Sequence, residues 1–440
     1  MRKHILSSLL LIWSAQLFAG AATTIRLNTN NELVVTGQTT GSAFVINSAE
    51  PSGDGTAEAS PAKVYVPMDG PLAGAADEAK YFIDKNAGTL FDVTSTSQKI
   101  NFPLYVNALT VTNPFYIYVA LKDNSNNYKI VTFSSSTYNG TTNLDVTFPV
   151  SVKEFCDQSG VDCSSFTSTS GTEKTFTAYF FLNDTVPTSL PVGTTITPSA
   201  AGYNNGIYFQ LNMSNKVYTK NQVTLDITKT RPGDKRLILE YSGSAGITNP
   251  KAVRVISFGS TNPGSAIDDE PIVTALNAGG SLTSTEYPYS TSGQLTVTNL
   301  ENGVETFLSV VMVNLYNIAT VVSPAGSETP LEIQELLKKE GCFLLTAGFG
   351  EDHYVISYFR HFRDAVLAKS YLGKAFISFY YDTAPKYALL IYKHETLRAM
   401  IRGMAYTLYF IFNNISLILL SSLFATLLFY LYKKREKIKI

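Results

Sequence analysis

The stretch Phe115-Tyr116-Ile117-Tyr118-Val119-Ala120 decides the fold. Nearly every residue in it is bulky, so the run reads as a central strand covered on both faces. Outward from it, β-prone runs recur at 24–27, 33–36, 128–133, 175–182 and 206–212, separated by clusters of Gly, Asn, Asp and Pro. Long helical periodicity is absent up to about residue 330. Short strands between turn signals are the pattern of sandwiches and barrels. Residues 22–220 are therefore expected to hold one or two β-sandwich domains, with 48–61, rich in Ser, Ala, Gly, Glu and Pro, as a long loop.

Charge divides the chain at the same place. Residues 22–330 hold 17 Lys/Arg against 26 Asp/Glu, a balance of −9, whereas residues 331–440 hold 15 against 9, a balance of +6. The acidic part offers no electrostatic footprint for nucleic acid. The basic part suits a position beside membrane lipid.

Both ends predict export. Arg2 and Lys3, the apolar stretch 5–18 and Ala19-Gly20-Ala21 have the order of a secretory signal over 1–21. From Ile415 to Tyr432 no residue is charged, which predicts an interfacial and transmembrane helix over 404–432. The basic run that follows, with Lys433, Lys434 and Arg435, predicts a cytoplasmic tail over 433–440. The resulting expectation is a single-pass protein of the cell envelope, its N-terminal domains periplasmic or extracellular. Arg398 and Arg402, one turn apart before the apolar stretch, either meet lipid phosphates or pair with Glu395 and Asp364.

Three cysteines are present. Cys156 and Cys163, seven residues apart, are expected to form a small disulfide loop, and Cys342 is left over. No histidine lies between His4 and His353. The β-rich part therefore cannot assemble a Ser-His-Asp triad, a Cys-His pair or a histidine-based zinc site from its own residues. No phosphate-cradling Gly-rich loop occurs, and Asp268-Asp269-Glu270 reads as a solvated loop. No cofactor or metal is called for. A pair of carboxylates could still hydrolyse glycosidic bonds, a chemistry that needs no histidine.

Pro232-Gly233-Asp234-Lys235-Arg236-Leu237-Ile238-Leu239-Glu240-Tyr241, then Leu300-Glu301-Asn302-Gly303 and Phe307 to Asn314, resemble a fibronectin type III sandwich over 231–329. Tyr241 stands where that family often has Trp, and Phe307 near its corner Tyr, so the hydroxyl bond of that corner would be missing.

After Pro330 the spacing of Leu331, Ile333, Leu336 and Leu337 turns helical. The ordered segments Cys342-Phe343-Leu344-Leu345-Thr346-Ala347-Gly348-Phe349-Gly350, Tyr358-Phe359-Arg360-His361-Phe362-Arg363-Asp364, Gly373 to Tyr381, Pro385 and Glu395-Thr396-Leu397-Arg398 resemble the bacterial CFI-box C-terminal domain. They depart from its box at Leu344, Leu345, Gly348 and Phe349. That resemblance implies a sorting or anchoring module over 330–402, and brings forward Cys342, Phe343, Thr346, Gly350, Arg360, Arg363 and Asp364 as sorting or processing residues. A helix over 371–381 and another begun by Pro385 are expected. Cys342 is either a reactive thiol or a small apolar residue packing a turn, and surface positions are the default for the histidines. The fold expected is thus mainly β, with tandem immunoglobulin- or fibronectin-like sandwiches, a small helical module and one transmembrane helix. Two function classes follow: a non-enzymatic, membrane-anchored protein whose sandwiches bind an envelope glycan or protein, with sorting machinery as a further partner, or a carboxylate-dependent polysaccharide hydrolase.

Overall fold

The computed structural model describes residues 24–28, 33–37, 42–46, 54–69, 78–88, 90–91, 93, 95–107, 114–138, 144–158, 163–168, 171–215, 224–244, 246–264, 272–340 and 342–415. The first β unit contains β1 (Thr24–Leu27), β2 (Leu33–Thr36), β3 (Phe44–Ile46), β4 (Ala62–Pro67), β5 (Lys99–Asn107), β6 (Tyr116–Lys122), β7 (Tyr128–Phe133), β8 (Leu144–Ser151), β9 (Glu173–Asn183), β10 (Thr195–Ile196) and β11 (Ile207–Ser214). One sheet has the order β1-β5-β2-β3, with β8 also on β5; the other runs β10-β7-β6-β9-β11-β4. Only the β11–β4 pair of these is parallel.

The run that opened the analysis lies in β6, and both its faces are covered. Ile117, Val119 and Leu121 point into the core between the sheets, with Phe102, Phe180 and Phe209. Tyr118 and Ala120 point the other way, into an outer cluster with Tyr128, Tyr179 and Phe181 that Leu190 and Ile196 help close. Alternation along a strand gives each face its own core, and here neither face meets water. Cys156 in α1 (Val152–Gln158) is disulfide-bonded to Cys163, just before α2 (Ser165–Ser168), as expected from the spacing.

The second β unit begins earlier than the expected residue 231. Strand β12 (Leu225–Gly233) runs into a hairpin with β13 (Arg236–Gly243), and Lys235 takes a left-handed φ of 55° at the turn. Pro232-Gly233-Asp234 is thus the end of a strand and its hairpin turn. The remaining strands are β14 (Pro250–Ser257), β15 (Ser281–Leu282), β16 (Tyr287–Pro288), β17 (Ser292–Thr298), β18 (Thr306–Asn314), β19 (Ala319–Val322) and β20 (Gly326–Glu328), with α3 (Ile272–Asn277) before β15. The sheets are β12-β13-β17 and β15-β14-β18-β19, with β16 on β14 and β20 on β18. Tyr241 is buried and donates its hydroxyl to the Ser290 carbonyl at 3.2 Å.

The turn between β18 and β19 joins the two units. Tyr316 and Ile318 belong to the core of the first unit. Tyr316 meets Tyr65 edge-on at 5.4 Å, Ile318 bridges Phe82, and Ile83 N–H donates to the Asn317 carbonyl at 3.0 Å.

The helices are α4 (Ile333–Glu340), α5 (Phe343–Phe349), α6 (Tyr354–Ala365), α7 (Tyr371–Lys393) and α8 (Glu395–Asn413). Pro385 does not start a helix: it lies inside α7. Its side is exposed, so the Tyr381 carbonyl that loses its donor can turn to water.

The expected transmembrane helix over 404–432 is corrected. Among the described residues no helix is long and apolar enough to cross a membrane. The helix that contains the start of that stretch begins at Glu395, carries Arg398 and Arg402 in its first half, and is capped at Asn414, whose side chain donates to the Phe410 carbonyl at 2.8 Å. Asn414 caps α8, and the rest of the expected span, 416–432, lies outside the described residues. The reading as a single-pass membrane protein of the envelope falls with the expected helix. Residues 416–440, the signal at 1–21 and Asp268-Asp269-Glu270 lie outside the described residues.

Candidate functional site

The residues singled out in the helical module do not form one site. Cys342 is the N-cap of α5 and packs in a small core with Phe349, Val355, Ile356 and Ala405. Burial pushes its thiol up to about 11, with Arg363 pulling down and Asp364 pushing up. A thiol held protonated is a poor nucleophile. Phe343 meets Tyr381 edge-on at 5.8 Å. Arg363 donates to Asp364 at 2.7 and 3.0 Å and also to the Tyr381 hydroxyl. The Arg363 hydrogen bond holds the Asp364 carboxyl below its usual range. Thr346 is buried, and its hydroxyl has no hydrogen-bond partner among the described residues. Gly350 caps α5 with φ 70°, and an added Cβ would come within 2.8 Å of the Arg236 guanidinium. Arg360 lies 3.6 Å from Asp352. Arg398 and Arg402 both pair with Glu395, at 3.0 and 2.5 Å, as one of the two expected arrangements has it, whereas Asp364, the other expected partner, pairs with Arg363. Lys433, Lys434 and Arg435 lie outside the described residues.

A polar joint between the second β unit and the helices carried no sequence signal. Arg236 donates to the Phe349 carbonyl at 2.9 Å and lies 3.3 Å from Glu351. Tyr392 donates to Asp234. Burial raises the Glu351 carboxyl above its usual range, against the pull of Arg236, Arg398, Arg402 and Arg231. His353 is not at the surface. It caps α6 by accepting from Val355 N–H at 3.2 Å, stacks on Phe349 at 4.2 Å, and burial with Arg231 pushes it down to about 4. Every ionised group named here has a partner inside the protein, so the joint reads as structural.

A cleft of about 340 Å³ opens between the two β units. Val45, Phe82, Ile83 and Asp84 line it from the first unit, and Lys251, Arg254, Glu286 and Asn317 from the second. Strand alternation would put Lys251 and Arg254 on opposite faces of β14. The register of β14 against β18 shifts between Pro250 and Ala252, and this bulge re-aims Lys251. Its ammonium donates to Asn317 Oδ1 at 2.8 Å and lies 3.4 Å from Glu286 Oε1. Arg254 donates through Nη2 to the Thr283 carbonyl at 2.6 Å, and its Nη1 is 3.8 Å from Glu286. Its Nε is buried with no hydrogen-bond partner among the described residues, as is the hydroxyl of Thr283. Burial lowers the Arg254 pKa while Glu286 raises it. Asp84 accepts from Asn86 N–H at 3.0 Å. Among the described residues no group of three or more His, Cys, Asp or Glu could hold a metal ion.

No family model and no curated protein matches this chain. Among solved structures, the chain is similar to the β-1,2-glucanase from Parabacteroides distasonis at 10% identity and a TM-score of 0.20. The match covers 58% of this chain and 36% of that one, so the chain spans little more than a third of the glucanase's length. A likeness that slight carries no argument about this chain.

Proposed function

We propose that the chain is a carbohydrate-recognising β-sandwich protein whose ligand enters the cleft between its two β units. The observation that carries this is the donor and acceptor set around the cleft: Lys251 and Arg254 donate, Asp84, Glu286 and Asn317 accept, and Val45, Phe82 and Ile83 supply apolar lining. The two cations and two carboxylates cancel, which suits a neutral, hydroxyl-rich ligand better than a strong anion. Charged side chains make the stronger hydrogen bonds to neutral hydroxyls, and apolar lining suits the C–H face of a sugar ring. The strand order β12-β13-β17 over β15-β14-β18-β19 supports reading the second unit as a fibronectin III-like binding module.

Hydrolysis is the second reading, because two carboxylates, Asp84 and Glu286, line the same cleft. Against it, Glu286 sits between two cations as the shared anion of an ion-pair network, and glycosidases need one carboxyl kept as an acid. Screening defined oligosaccharides by equilibrium binding, then assaying each bound sugar for new reducing ends, separates the readings. Binding without turnover is expected. Turnover abolished by Glu286→Gln would establish the hydrolase, and no binding to any saccharide would end both readings.

A further inference from the structure

We infer that α8 is a homodimer contact, which a second copy of this chain covers with its own α8. From Gly403 to Asn413 this helix carries no charged residue. The fold buries one side of it: Ala405 is enclosed, Tyr409 stacks edge-on against Tyr354 and Tyr358, and Phe412 packs on Phe362. The flanks stay open, with Met400 65% and Phe410 63% exposed and Met404, Leu408 and Ile411 each more than a third exposed. A helix that is apolar all round is stable in water only when buried all round.

The neighbouring α7 adds an open stripe at helical spacing, Leu372, Phe376, Phe379 and Leu390. At roughly 100 Å² for each half-exposed large side chain, the two helices leave on the order of 1,000 Å² of apolar surface uncovered. The largest apolar patch on a typical monomer is about 300–600 Å². A stable interface takes about 800 Å² from each partner. Summed over both helices, that area is of the size one partner contributes to a stable interface.

The shape of the surface points to a helix as its occupant. Gly403 stands on the open side of α8, and a Cβ added there would meet nothing within 4 Å. One turn earlier, Ala399 is also small and exposed. Together they form a shallow notch that the chain's own packing leaves unfilled. A notch lets two helix backbones approach closely, and a fluid apolar phase has no use for one. A helix meeting its own copy gives a twofold, self-complementary contact, the commonest closed symmetry.

The test is sedimentation velocity of the full chain in detergent-free buffer over a concentration series. Wild type is expected at twice its 48.1 kDa mass. Gly403→Leu fills the notch without touching the chain's own packing, and is expected to weaken dimerisation at least tenfold while circular dichroism stays unchanged. Independently of that variant, Ala399→Cys is expected to crosslink two copies on oxidation. A wild-type monomer at all concentrations, or no crosslink, overturns the inference. So does equal co-sedimentation of wild type and Gly403→Leu with phosphatidylcholine–phosphatidylglycerol vesicles when neither self-associates, which would give the face to lipid.

Discussion

Replacing Tyr316 by Ala should destabilise both β units at once. The side chain is 5% exposed and belongs to the core of the unit it does not come from. Its ring meets Tyr65 at 5.4 Å, and the turn that carries it is pinned by Asn314 Oδ1, which accepts from Tyr316 and Ile318 N–H at 3.0 Å each. Truncating a buried aromatic costs about 3–5 kcal/mol, the lost transfer energy plus the cavity left behind. With a urea slope near 3 kcal/mol/M, the midpoint should fall by about 1 M or more. Tyr316→Phe keeps the ring and should stay close to wild type. The assay is urea unfolding followed by far-UV circular dichroism and tyrosine fluorescence together. Wild type should unfold with coincident curves and Tyr316→Ala with separated ones, since Asn317 and Phe82, which line the cleft, are held by the same joint. A Tyr316→Ala midpoint within about 0.2 M of wild type would refute the idea that this turn welds the units together.

Cys342, its thiol pushed up to about 11 from 9, should react with iodoacetamide at pH 8 about a hundredfold more slowly than an exposed cysteine; denaturation should remove the difference, and fast labelling of folded protein would contradict its burial. Breaking Cys156–Cys163 by double Ser substitution closes off a constraint on a short loop and should cost about 2–3 kcal/mol, read as a lower urea midpoint that reductant no longer shifts. His353 has a folded pKa of about 4 against 6.5, so the unfolded chain binds the extra proton between those values and stability should fall as pH drops from about 6.5 to 4. His353→Gln should flatten that part of the stability–pH curve, and an unchanged slope would show that His353 does not titrate as placed.

Much of the β architecture was legible because the strands obey local rules. Nearly continuous bulk in 115–121 required two cores, and β6 has two. The pair Cys156–Cys163 needed only its spacing. The helical register of Ile333, Leu336 and Leu337 likewise appears as α4. What could not be read depends on long-range contacts. Lys251 joins Arg254 only through a bulge in β14, and bulges leave no mark in hydrophobic alternation. Tyr316 and Ile318 look like residues of their own sandwich until the other unit is seen around them. His353 seemed a surface residue because a lone histidine beside Glu351 and Asp352 gives no hint of Phe349 and Tyr406 closing over it. Of the helix expected over 404–432, the described part belongs to α8 and is capped at Asn414, and 416–432 lie outside the described residues.

Isothermal titration of the best-bound oligosaccharide into wild type, Arg254→Met and Lys251→Met tests the central claim most directly. Arg254 and Lys251 make charge-assisted bonds at the cleft, each worth roughly 1.5–3 kcal/mol to a ligand. The account predicts affinity at least tenfold weaker in each variant, with thermal unfolding showing both still folded. Wild-type affinity retained in both variants would place the ligand elsewhere and contradict the cleft as the site of recognition.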